Sequence, residues 1–196
     1  NSSHPSVSAA SSVDNSGVVV IQDVTLDGNG HVTGLGSQDL NDLSTIVFGD
    51  NNTASGTRAS AIGYSNNASG YFSSAVGFDN TASDSFSSAF GYFNTAGQRG
   101  SSAFGYENTA SGNRSSAFGY DNEASEYWSS AVGSLNIASG YRSTAIGSFN
   151  TASESNSSAF GHRVNVGTND VQEFGKWSSS AREGAIRIHD TGMAAL

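Results

Sequence analysis

The 196-residue sequence contains no cysteine, so disulfide bonds contribute nothing to its fold. Charged residues make up only 13%, about half the usual share, and no apolar run reaches the roughly 18 residues of a membrane-spanning helix. Eight Lys and Arg residues against 17 Asp and Glu give a net charge of −9, which makes nucleic acid and anionic membranes poor partners. We therefore expect no nucleic-acid partner and no membrane insertion. Because the chain opens with Asn1, we expect a fragment of something longer.

Glycine, in contrast, returns every fourteen residues over more than a hundred residues. Each glycine lies in a near-copy of Ser-Ala-(Ile/Val/Phe)-Gly-x-x-Asn-x-Ala-Ser, without insertion or deletion. The series comprises Gly49, Gly63, Gly77, Gly91, Gly105, Gly119, Gly133, Gly147 and Gly161, and Gly175 extends it. Strict repetition of a short unit is typical of a solenoid, in which each copy packs on its neighbours.

Two strands of about five residues and two tight turns fit fourteen residues, whereas no segment has helical periodicity. We therefore predict an all-β parallel β-roll whose coils stack at roughly 4.8 Å, giving a rod on the order of 40 Å long. Alanines and one medium or large side chain, such as Phe104, are expected inside each coil. The glycine is expected to permit a positive φ or close backbone approach. The asparagine column, Asn52 to Asn150, is expected to form an amide ladder or to cap a turn.

The repeats divide the chain into three predicted parts. Residues 1–47 contain a β-hairpin, with a strand over 18–26, a turn over 27–30 and a returning strand from His31. Residues 48–166 are the repeat array. Residues 167–196 depart from the pattern and are expected to form a short β end-piece that covers the last coil, with strands over 185–189 and from 193.

One coil rich in alanine buries too little apolar surface to offset the entropy of ordering fourteen residues, so we predict that several chains share a core. The segments Ser60–Gly63 and Ser73–Gly77 resemble the head repeat of the YadA-like trimeric autotransporter adhesins, which also has a period of fourteen. The resemblance covers about residues 48–166. It implies a left-handed parallel β-roll assembled as a homotrimer. The chain departs from the family's frequent glycine at Asp84, Gln98, Glu126 and Glu154.

The flanking segments resemble a different family. Val20–Leu35 looks like the β-rich shaft repeats of bacteriophage tail fibres, and Arg182–His189 is similar to other segments of such fibres. This resemblance implies a homotrimeric fibre on a virion. We therefore interpret the chain as a tail-fibre segment that attaches to a host surface through a glycan or protein receptor. The alternative is the head of a bacterial autotransporter adhesin on the outer-membrane surface, which binds host matrix or cells.

No catalytic, cofactor or metal site stands out. His4, His31, His162 and His189 lack metal-ligand spacing, although a trimer could bring three copies of His189 together on its axis. Glycosidases need paired carboxyl groups over a cleft, which a narrow roll does not offer within one chain. We predict that the chain is not an enzyme and needs no cofactor. A trimeric polysaccharide depolymerase and an ice-binding threonine column remain as rival hypotheses.

Two sets of aromatic residues stand out along the array. One follows the glycine in five successive copies and is expected to form a structural stacking ladder: Tyr64, Phe78, Tyr92, Tyr106 and Tyr120.

The other set of aromatic residues is irregular, and its columns also contain arginines. Tyr127, Trp128, Tyr141 and Arg142 lie eight and nine residues after two successive glycines, so they should meet at one edge of adjacent coils. We predict that these four bind the receptor, because aromatic and Arg residues dominate binding hot spots. The alternative is that they pack in the trimer interface.

Overall fold

The computed structural model describes residues 19–26, 28, 32–39, 45–177 and 182–189. These residues form strands and turns and contain no helix, so no helix among them could cross a membrane. The chain separates into two compact units, Asn1–Ser44 and Thr45–Leu196.

The first unit contains a two-stranded antiparallel sheet. Strand β1 spans Val19–Leu26 and β2 spans Val32–Asp39, with Val24 opposite Leu35. The predicted hairpin is confirmed, and its second strand is longer than the three residues expected. His31 lies outside the described residues, as does His4.

The second unit is a parallel solenoid in which each coil contributes one long and one short strand. The long strands are β3 Ile46–Asp50, β5 Ser60–Tyr64, β7 Ser74–Phe78, β9 Ser88–Tyr92, β11 Ser102–Tyr106, β13 Ser116–Tyr120, β15 Ser130–Ser134, β17 Thr144–Ser148 and β19 Ser158–His162. The short strands are β4 Thr53–Ala54, β6 Asn67–Ala68, β8 Thr81–Ala82, β10 Thr95–Ala96, β12 Thr109–Ala110, β14 Glu123–Ala124, β16 Ile137–Ala138, β18 Thr151–Ala152 and β20 Asn165–Val166. The prediction of two equal strands was wrong, because the second strand of each coil has only two residues.

Equivalent residues of successive coils pair with each other in register. Gly105 lies between Gly91 and Gly119 in the long sheet, and Thr95 pairs with Thr109 in the short sheet. A column therefore runs along the rod at every position of the fourteen-residue repeat. The predicted all-β solenoid is confirmed, whereas its left-handedness and its homotrimeric assembly stay predictions.

The interior of the coils consists of small side chains. Two alanine columns, exemplified by Ala103 and Ala110, are fully buried. The aromatic side chain predicted inside the coil lies outside it, because Phe104 and Phe118 point to the outer face of the long sheet. Phe118 is 37% exposed. Neighbouring residues of a strand point to opposite faces, so the alanine and the residue after it cannot both face inward.

Buried asparagines connect successive coils, as predicted. The Asn108 side-chain amide donates to Asn94 Oδ1 at 3.0 Å, to the Phe104 carbonyl at 2.9 Å and to the Gly119 carbonyl at 2.7 Å. Asn108 Oδ1 accepts from the backbone N–H and the side-chain amide of Asn122. Each asparagine thus joins its own turn to both neighbouring coils, and the ladder ends where Asn150 accepts from the Val164 N–H.

Two turns connect the strands of each coil. The first turn contains the second residue after the repeat glycine, and the second turn contains the seventh to tenth. In the second turn, the Ser129 N–H donates to the Glu126 carbonyl at 3.1 Å, close to the 3.2 Å between Ser115 and Gly112. The side chains that replace the family's glycine at this position therefore leave the turn intact.

An antiparallel hairpin completes the long sheet. Strand β21, Val171–Trp177, pairs parallel with β19, and β22, Arg182–His189, pairs antiparallel with β21. Glu173 is fully buried in the alanine column, with its Oε2 3.6 Å from Arg187 Nε. The predicted strand over 185–189 is confirmed as part of β22, and the one expected from 193 lies outside the described residues.

Candidate binding surface

The edge of the solenoid formed by the second turns carries most of the array's arginines and an irregular set of aromatic rings. Its columns lie eight and nine residues after each repeat glycine, and we call this edge the second-turn ridge. The eighth-residue column contains Tyr71, Arg99, Tyr127 and Tyr141. The ninth-residue column contains Arg58, Phe72, Phe86, Arg114, Trp128 and Arg142.

The structure brings the four predicted binding residues together on this ridge. The Tyr127 and Tyr141 rings stack with centroids 6.0 Å apart, and the Trp128 indole lies 6.1 Å from Tyr141. The Arg142 guanidinium lies 4.7 Å from the Trp128 ring centroid and 5.2 Å from that of Tyr141. Trp128 and Tyr141 are 37% and 40% exposed. The four side chains therefore form one accessible aromatic and cationic surface.

Arg114 belongs to the same surface: the sequence places it in the columns of the irregular aromatic set, although it is not one of the four predicted binding residues. Its guanidinium lies 5.8 Å from the Trp128 ring centroid, so it contacts the indole from the coil before, and Arg142 contacts it from the coil after. Its contact with the indole follows from the repeat, because Arg114, Trp128 and Arg142 are spaced by fourteen residues in one column.

The backbone of this column is strained. Trp128 has φ +58° and Arg142 φ +55°, in the left-handed region, and Arg58, Phe72, Phe86 and Arg114 share that conformation. The conformation costs a residue with a Cβ roughly 1–2 kcal/mol. Other coils place Gly100, Asn156 or Asp170 in this column, and these residue types tolerate the conformation best. Bulky side chains therefore occur here against the local backbone preference.

The outer face of the long sheet is a second, more regular surface. Its predicted ladder is confirmed: the Tyr92 and Tyr106 rings stack at 5.2 Å, and Tyr106 and Tyr120 at 5.3 Å. A parallel ladder stands one residue before the glycine, where Phe90 and Phe104 stack at 4.9 Å. The neighbouring Glu107 carboxylate raises the pKa of the Tyr106 phenol above its ordinary value. We call this surface the long-sheet face.

Groups that could support catalysis are dispersed in the described part of the chain. Asp121 lies in a first turn, Glu123 in a short strand and Glu126 in a second turn, so the three point away from different sides of one coil. Among the described residues no three His, Cys, Asp or Glu side chains lie close enough to hold a metal ion. The His162 ring contacts Phe149 edge-on at 5.9 Å.

Comparison with known protein families gives a match over the repeat array. The sequence model of the YadA head domain repeat, which comprises two copies of the repeat, matches residues 43–66, 68–94, 96–122, 129–150 and 138–163. The matched segments cover more than half of the chain and coincide with the stacked coils. No curated protein matches the chain.

Proposed function

Because the chain belongs to the family of YadA head domain repeats, we propose that it forms a homotrimeric extracellular fibre segment that attaches to a host surface. The proposal rests on a repetitive solenoid that carries a distinct exposed cluster of aromatic and arginine side chains. Parts 1–47, 48–166 and 167–196 would act as the leading hairpin segment, the rod and the end-piece.

The exposed apolar side chains of the long-sheet face support the trimer. The column before the glycine contains Phe, Ile or Val in every coil, and several members are more than a third exposed. Soluble monomers rarely expose continuous apolar patches larger than a few hundred Å². Three chains related by a threefold axis would bury this face in a shared core without adding residues.

The composition of the long-sheet face also predicts where the second-turn ridge would lie in a trimer. Apolar side chains occur before the glycine, after it and in part of the first-turn column, as at Phe93 and Leu135. Toward the second turn, the same face carries serines such as Ser102 and Ser116. The apolar surface is therefore displaced toward the first turns. Packing there would place the first turns near the threefold axis and the second-turn ridge at the periphery, free to contact a receptor.

We assign receptor contact to Tyr127, Trp128, Tyr141 and Arg142. Aromatic rings that are held by stacking lose little conformational entropy on binding, and Arg supplies directed donors. Three symmetric copies per fibre would add avidity.

Adsorption measurements test this assignment. We expect a Trp128→Asn and Tyr141→Ser double variant to reduce adsorption of the trimer to host cells by about tenfold or more, as hot-spot truncation does. Asn suits the left-handed backbone of residue 128, so the melting temperature should be unchanged. Thr109→Ser on the short sheet is the matched control and should adsorb as the native protein does. If the double variant adsorbs as well as the native protein, the second-turn ridge does not take part in attachment.

The fibre is assigned to a bacteriophage tail on the resemblance of Val20–Leu35 to tail-fibre shaft repeats. The match to YadA head repeats fits this assignment and also the second candidate, an autotransporter head on the bacterial outer membrane. Gold-labelled antibody against the chain distinguishes the two in electron micrographs. Label on virion tails supports the first assignment, and label on the surface of uninfected bacteria would replace it with the second.

A further inference from the structure

We infer that the second-turn ridge binds a polysaccharide that carries acidic groups, namely carboxylate or sulfate substituents on its sugars. This inference rests on the proposed attachment function and names the chemical class of its receptor. It depends on three observations: the position of the arginines, the absence of ion-pair and side-chain hydrogen-bond partners for them among the described residues, and the alternation of cations with aromatic rings.

Positive charge in the array is concentrated on one edge. Residues 48–166 contain five arginines and no lysine. Four of the five, Arg58, Arg99, Arg114 and Arg142, lie on the second-turn ridge. Asp84 and Glu126 stand beside them in the seventh-residue column, so the ridge from Arg58 to Arg142 keeps an excess of positive charge in a chain of net charge −9. An acidic ligand would be repelled by most of the chain and attracted to this edge.

The guanidinium groups of these four arginines are available to a ligand. In the described part of the chain none of them forms an ion pair within 4.0 Å or a side-chain hydrogen bond. Their contacts are with ring faces instead: Arg58 lies 5.2 Å from the Phe72 ring centroid and Arg99 5.9 Å from that of Phe86. A guanidinium has five N–H donors in a planar fork that matches carboxylate, sulfate and phosphate oxygens. Stacking on a ring holds that fork in place while its donors stay free.

The rings between the arginines supply the surface for the sugar itself. Phe72 and Phe86 stack at 5.8 Å between Arg58 and Arg99, and Trp128 lies between Arg114 and Arg142. Exposed aromatic faces present apolar area to the C–H faces of sugar rings. Six coil steps separate Arg58 from Arg142, so the ridge is roughly 30 Å long at the usual strand spacing. A linear chain of sugars, with charges repeated along it, fits this one-dimensional arrangement.

Binding of defined saccharides to the purified 196-residue protein tests the inference. The probes are oligogalacturonate and its neutral methyl ester, and dextran sulfate and neutral dextran, measured by calorimetry at low and physiological salt. We expect an acidic member of these pairs to bind at least about tenfold more tightly than its neutral partner, with affinity that falls as salt rises. The two pairs distinguish carboxylate from sulfate recognition.

Variants locate the site. Arg114→Gln with Arg142→Gln is expected to weaken acidic-saccharide binding about tenfold or more, whereas Arg163→Gln should leave it unchanged. Arg163 is a matched control, because it also lies over a ring, 5.6 Å from the Phe149 centroid, but on the first-turn edge. Equal binding of acidic and neutral probes, or no binding of either, overturns the inference even if the double variant does not fold. If cell adsorption still depends on Trp128 and Tyr141 in that case, the attachment function stands and only the ligand class is wrong.

Discussion

Gly105 lies where two coils approach so closely that a side chain would collide with the next one. Its φ is +121°, and an added Cβ would come within 2.1 Å of the Gly119 carbonyl oxygen. The same geometry recurs along the column. The glycine therefore has a steric role at each coil as well as a conformational one.

We expect Gly105→Val to lower the free energy of unfolding by about 3 kcal/mol or more, because the valine must displace the backbone of the neighbouring coil. Glu107→Ala, two residues away at an exposed turn position, should change it by less than about 0.5 kcal/mol. Thermal melts followed by circular dichroism measure both. Similar melting temperatures for the two variants would contradict the steric role of the column.

The asparagine ladder depends on buried side-chain hydrogen bonds that a single substitution removes. Replacing Asn108 by Leu removes the donor to the Phe104 and Gly119 carbonyls and leaves backbone groups unpaired in the interior. Each buried group left unsatisfied costs about 1–3 kcal/mol. Asn52→Leu is the control, because Asn52 starts the ladder and is only half-buried. We expect the Asn108 variant to melt well below the Asn52 variant, and the reverse order would show that the ladder adds no stability.

At the scale of the element, one coil is the unit of the structure, because each coil pairs only with its two neighbours. Stability of such stacks is approximately a sum of coil and interface contributions. The long strand supplies most of the backbone pairing, and the two-residue short strand closes the coil on the other side. A deletion of fourteen residues should therefore keep equivalent residues of the remaining coils stacked in their columns.

Deleting residues 106–119 joins Gly105 to Tyr120 and brings Asn94 next to Asn122 in the ladder. We expect this protein to fold and to melt within a few degrees of the native chain, since one interior coil is lost and no column is broken. Deleting residues 106–112 removes half a coil and turns interior positions outward. We expect it to lose its cooperative melt. If the protein that lacks residues 106–112 also melts cooperatively, folding does not require the fourteen-residue repeat to be kept in register.

The sequence predicted most of this element and missed some of its details. The period identified the solenoid, the glycine column and the asparagine ladder, because these depend on which residues stack. Period alone does not say which side of a strand faces inward, and Phe104 was placed inside although its neighbour Ala103 already fills the interior. The left-handed turn at Trp128 and Arg142 was also missed, because neither residue type favours that conformation. The four ridge residues were grouped correctly, since eight- and nine-residue offsets in adjacent repeats place them side by side.

At the scale of the whole molecule, the two surfaces of the rod differ in regularity. The long-sheet face repeats Phe, Ile, Val and Tyr in nearly every coil, whereas the second-turn ridge varies from coil to coil. A continuous exposed apolar face marks an interaction surface, and self-association of the rod would bury it along its length. A receptor surface requires a specific cluster. We therefore propose that the regular face forms the trimer interface and that the irregular ridge contacts the ligand.

A double variant on the long-sheet face tests the assembly. Phe104 and Phe118 stack at 5.0 Å on the outer face, and their removal takes nothing from the interior of the single chain. If three chains bury this face, Phe104→Ser with Phe118→Ser exposes hydroxyl groups to a shared apolar core in each of three protomers. We expect a shift from trimer toward monomer at micromolar concentration, measured by multi-angle light scattering. The control is Thr95→Ser with Thr109→Ser on the short sheet, which should remain trimeric.

A double Phe variant that stays trimeric with an unchanged melting temperature would place the interface elsewhere. In that event the second-turn ridge, with its exposed rings, becomes the first alternative for subunit contact, and the loss of trimer in Trp128→Asn with Tyr141→Ser would identify it.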